Sequence, residues 1–84
     1  MSPQAEVADY YLYKYFDDYA EFENPDDPLR MGHLKWMLGQ ICLEYMTETK
    51  SNRWLGFVQG VLASKGIIDV QLERKRTRPI FNGR

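Results

Sequence analysis

The chain is 84 residues long, 44% hydrophobic and 27% charged, which sets one domain as the upper limit and is too apolar for a wholly disordered polymer. A lone cysteine, Cys42, leaves no partner for an internal disulfide and no CxxC motif. The formal net charge of −1 hides a split: residues 1–30 carry eight acids against Lys14 and Arg30, whereas residues 31–84 carry nine bases against Glu44, Glu48, Asp69 and Glu73.

Ser2-Pro3 predicts a helix start, because serine accepts from orphan amides and proline fits the first helical position. From there Ala8, Leu12, Tyr15, Tyr19 and Phe22 recur at helical spacing, so an acidic, aromatic helix is expected over 1–23. Five of the six tyrosines fall between positions 10 and 19, more than one face can bury. Tyr10 and Tyr13 are expected to point outward and, with Asp17, Asp18 and Glu21, to form a partner-binding face.

Glu23-Asn24-Pro25-Asp26-Asp27-Pro28 is the clearest break, since each proline forces its predecessor out of helical geometry. Asp27-Pro28 repeats the cap-and-proline signal, and Met31, Leu34, Leu38, Ile41 and Tyr45 supply the stripe of a second helix, flanked by Met37 and Cys42. Polar residues 47–51 read as a turn. A third helix is expected over 52–65, capped by Thr49 or Ser51, with Leu55, Val58, Val61 and Leu62 inward and Trp54 and Phe57 widening that face. Together residues 29–65 make an antiparallel helical hairpin.

Gly56, Gly60 and Ser64 lie four apart along one edge of the third helix. Each interior glycine costs about 1 kcal/mol relative to alanine, so the edge calls for close approach of another backbone, from the second helix at Gly39 or from a second copy. Gly66 then ends the helix in a left-handed conformation. Residues 68–72 alternate like a strand, but no second strand is available; Asp69 caps a short helix to about residue 76, and Pro79 ends it before an extended tail. The expected fold is all-α, one domain over 1–84, with a basic helix and tail over 69–84. Limited core size and the glycine edge favour a homodimer or a higher symmetric assembly.

No constellation supports catalysis. His33 and Cys42, nine positions apart, are out of phase and more than two turns apart on one helix. The carboxylate pairs Asp17/Asp18 and Asp26/Asp27 lack a histidine at ligand spacing, and GxxxxGK[ST], GxGxxG and HExxH are all missing. Neither an enzyme nor a cofactor nor a metal is expected. No apolar run reaches the roughly 18–20 residues that span a bilayer, and Met1-Ser2-Pro3-Gln4 lacks the basic start of a signal peptide, so a soluble cytoplasmic protein is expected.

Two further binding readings stay open. Arg74, Lys75, Arg76 and Arg78 place four bases in five residues, a candidate phosphate-contacting segment for nucleic acid. Trp36, Trp54 and Arg53 offer a candidate small-ligand, nucleotide-sponge site between copies.

The sequence His33-Leu34-Lys35-Trp36-Met37-Leu38, then Arg53-Trp54-Leu55-Gly56-Phe57-Val58-Gln59-Gly60, then Glu73-Arg74 and Thr77-Arg78-Pro79-Ile80-Phe81, resembles small accessory proteins encoded by tailed phages and prophages. The resemblance spans residues 33–81 and leaves out the acidic N-terminal third. It implies a setting in which short proteins bind and redirect, often inhibit, host or phage proteins, defence systems included. It carries no catalytic or binding residues with it.

Overall fold

A computed structural model describes residues 1–82 and contains four helices: α1 Pro3–Tyr15, α2 Met31–Cys42, α3 Glu48–Ser64 and α4 Val70–Phe81. The all-α expectation holds. No helix among the described residues is long and apolar enough to cross a membrane.

α1 is the hub, packing against each of the other three helices and most extensively against α2. Its start is as read: the Ser2 Oγ accepts from the Ala5 amide at 3.1 Å, and Pro3 occupies the first turn. Its inward face is not. Gln4, Ala5, Val7, Ala8 and Tyr11 are buried; of the expected stripe only Ala8 is among them, while Leu12 and Tyr15 pack half-buried against the core. Two alanines and a valine let the α1 backbone approach α2, and Tyr11 takes the deep position because its hydroxyl finds partners there.

The helix also stops at Tyr15 instead of reaching residue 23. Asp17 and Asp18 would sit at the negative end of the helix dipole, and Phe16 turns into the core, fully buried, with the Tyr19 amide donating to its carbonyl. Tyr19 and Phe22 are therefore exposed residues of the connection, not members of a stripe.

α2 begins at Met31, three residues beyond the expected Pro28 start, with Arg30 as N-cap and no side-chain cap bond. Asp27 accepts from the Arg30 Nε at 2.7 Å instead of capping the helix. Leu34, Met37, Leu38 and Ile41 are buried as read, whereas Tyr45 lies beyond the helix end and is exposed. Glu44 ends α2 in the left-handed region, at φ 59°, a position usually given to glycine. Its carboxylate accepts from the Ser2 amide, which holds it below the usual carboxylate range and ties the start of α1 to the end of α2.

α3 starts earlier than either proposed cap. Thr47 is the N-cap, its hydroxyl accepting from the Lys50 amide. Leu55, Val58, Val61 and Leu62 face inward and Trp54 is half-buried, but Phe57 is exposed. Gly66, at φ 74°, closes the helix as predicted: its amide donates to Ala63 and that of Ile67 to Leu62, the paired bonds of a Schellman ending.

Asp69 caps α4, accepting from the Leu72 amide at 3.0 Å, and the helical alternative at 68–72 is the correct one. Pro79 does not end it. The helix runs through the proline to Phe81, so the expected extended tail is helical as far as that residue. α4 lies at the margin of the molecule, and Thr77 is its one buried residue.

Candidate functional site

Between α1 and α2 runs a fifteen-residue connection, 16–30, without helix, which carries Asp17, Asp18, Glu21, Glu23, Asp26 and Asp27 against Arg30 alone. Irregular segments this long inside a compact domain are uncommon and are usually either functional loops or linkers. This one is a strap laid across α2. The Phe22 amide donates to the Gly32 carbonyl at 3.1 Å, the Asn24 amide donates to His33 Nδ1 at 2.9 Å, and Lys35 Nζ donates to the Tyr19 carbonyl at 2.6 Å. His33 is thus a buried packing residue in the tautomer that leaves Nδ1 free to accept. Gly32 is required by this approach, because a Cβ there would lie 2.9 Å from the Ala20 carbonyl oxygen.

The strap turns apolar side chains outward. Phe22 is 64% exposed, and Tyr19 and Leu29 are also exposed; Tyr13, on the last turn of α1, is 81% exposed. Asp17, Asp18, Glu23 and Asp26 are exposed and pair with no base among the described residues. Two members of the expected face behave differently. The Glu21 carboxylate folds over α2, where a Cβ on Gly39 would be 2.7 Å from its Oε1. Tyr10 is half-buried, with the Arg76 guanidinium 3.7 Å from its ring centre and Lys14 Nζ donating to its hydroxyl at 2.9 Å. Sequence reasoning missed Tyr19, Phe22, Glu23 and Leu29 because it placed the first two in a helix. The proline-marked break was the signal that the helix had to end earlier.

Arg76 likewise leaves its expected group. It donates to Glu73, with Nη2 to Oε2 at 3.1 Å, while the Tyr11 hydroxyl donates to the same carboxylate at 2.8 Å and accepts from Gln59 Nε2 at 3.0 Å. One phenol thereby joins α1, α3 and α4. Burial above all lifts Tyr11 beyond the ordinary phenol range; the Gln59 N–H partly offsets this, and the Glu73 carboxylate adds to it. Arg74, Lys75 and Arg78 are exposed. The four bases therefore divide into one structural and three surface residues. Arg76→Ala should cost about 1–3 kcal/mol, since it leaves a largely buried carboxylate short of a charged partner. Alanine at Arg74, Lys75 or Arg78 should stay within about 0.5 kcal/mol, as urea unfolding would show.

Trp36 and Trp54 meet across α2 and α3 with ring centres 5.7 Å apart, and His33 and Lys50 extend the stack at either end. Both indoles are half-buried and pack against the core; Arg53 is exposed on α3. Within one chain the pair is interhelical packing. Gly56 and Gly60 have nothing within 4 Å of a built Cβ, so α2 is not the backbone that approaches them; Gly39 is occupied by Glu21. Cys42 is half-buried, its thiol facing the Ala5 carbonyl, and burial pushes its pKa up to about 11, away from nucleophilic use at neutral pH.

No family model matches the chain, and no curated protein or solved structure matches it either.

Proposed function

We propose that this is a non-enzymatic binding protein that modulates, by inhibition, a host or phage protein, and that the strap is its contact surface. The observation that carries the reading is the 16–30 segment, fastened to α2 while exposing Tyr19, Phe22 and Leu29 beside Asp17, Asp18, Glu23 and Asp26, which pair with no base among the described residues. Exposed aromatics ringed by charge are the composition of interface hot spots, and the negative rim selects a basic counter-surface. A protein groove that ordinarily receives nucleic acid has that chemistry. The resemblance of residues 33–81 to phage accessory proteins fits this role and a cytoplasmic setting.

The revised surface is Tyr13, Asp17, Asp18, Tyr19, Phe22 and Glu23. Replacing Asp17, Asp18 and Glu23 with lysine, together with Phe22→Ala, should reduce capture of the partner from host lysate at least about tenfold, the scale of losing one hot spot and its charged rim. Short duplex DNA should compete for the captured partner. Unchanged capture by the quadruple variant would overturn the proposal.

A further inference from the structure

α3 and α4 stand apart, and the space between them is a groove of about 310 Å³. Gly60 forms part of its floor, Ile68, Val70 and Phe81 give it apolar walls, and Arg74 lies on it. Its one acid, Glu73, is already held by Arg76 and Tyr11. Lys75 and Arg78 add two more exposed bases to the same helix. The groove thus asks for an apolar side chain carried on an anionic segment.

The chain itself displays such a segment. Phe22 stands exposed with Glu23 beside it and Asp26 close in sequence, on a strap bound to α2; none of the strap residues lines the groove. Plug and socket therefore occur on one molecule without meeting within it. We infer that the α3–α4 groove receives the strap of a second copy of this chain, with Phe22 between Val70 and Phe81 and Glu23 against Arg74. Gly60 keeps the α3 side of the groove bare, which lets an extended backbone lie close to the helix. Because strap and groove are different patches, the contact forms a reciprocal pair, a ring or, where the rotation does not close, an open chain of copies.

The inference uses the same strap as the functional proposal but needs no foreign partner, and the two are separable. Sedimentation of the unmodified protein should show self-association that weakens as salt rises. Arg74→Glu and Glu23→Arg should each weaken it about tenfold or more, and an equimolar mixture of the two should associate again, because it retains one intact strap and one intact groove. Arg74→Glu should leave capture of the foreign partner intact. A monomer at every concentration and salt, or self-association unchanged in both variants, or a mixture that stays monomeric, would each overturn the inference without touching the functional proposal.

Discussion

Tyr11→Ala is expected to remove about 3–5 kcal/mol in urea unfolding, the usual cost of deleting a buried aromatic. For a domain of this size, whose whole stability lies within roughly 5–15 kcal/mol, that is enough to unfold much of the population. The loss has two parts. The ring is fully buried as part of the core cluster, and its hydroxyl bridges Gln59 and Glu73. Tyr11→Phe keeps the ring and isolates the second part, about 1–3 kcal/mol for leaving those two groups unsatisfied. Since α4 buries little apolar surface of its own, hydrogen exchange in Tyr11→Phe should accelerate first in α4 and only later in α2 and α3. The raised phenol pKa adds a pH signature. A group whose folded pKa lies above its unfolded value stabilises fully below the latter, near 10 for tyrosine, and loses that contribution as pH climbs toward the folded value. Cys42, raised to about 11, acts in the same direction from about pH 9 upward. Alkaline destabilisation should be steeper in the unmodified protein than in Tyr11→Phe; equal slopes would show that the phenol does not titrate with unfolding.

Gly32→Ala should be the most damaging single change to the strap that alters none of its side chains. Its methyl would lie 2.9 Å from the Ala20 carbonyl oxygen, a backbone atom with no flexible end to swing away. The expected cost is about 1–3 kcal/mol, as for other overpacked contacts. Partner capture should fall in parallel although every acid and aromatic is present. Gly56→Ala and Gly60→Ala, with open space around their Cβ positions, should instead stabilise the monomer by about 0.5–1 kcal/mol each. If Gly32→Ala were as stable as the unmodified protein and bound equally well, the strap would not need its present seat.

Much of the fold was legible from one-dimensional signals because those signals are local. Ser2-Pro3, Asp69 and Gly66 act through main-chain geometry within four residues of themselves, and each did in the structure what its type predicts. The inward faces of α2 and α3 were legible for the same reason, as single stripes of aliphatic residues. The face of α1 was not. Crowded tyrosines make several stripes look equally apolar, and the choice among them was decided by Gln59 and Glu73, 48 and 62 residues away. Arg76 was misread in part on the same account: Glu73 lies one turn before it on α4, but the rings of Tyr10 and Tyr11 become its neighbours only when α4 lies on α1. The end of α1 was hidden by persistent aromatic spacing through Phe22, which overrode the weaker cost of two aspartates at a helix end.

The strap's seat has a consequence for how such a surface changes over time. In all three hydrogen bonds that fasten it, the strap contributes a main-chain atom: the amides of Phe22 and Asn24 and the carbonyl of Tyr19. Attachment is thus largely blind to which side chains the strap carries, provided that Gly32, His33 and Lys35 stay beneath it. Positions 19, 22, 23 and 26 are free to drift, and selection for a new target can rewrite them without renegotiating the fold. The molecule separates a main-chain mount from an exchangeable face, an arrangement that, under the proposed function, would let the contact surface follow a changing target.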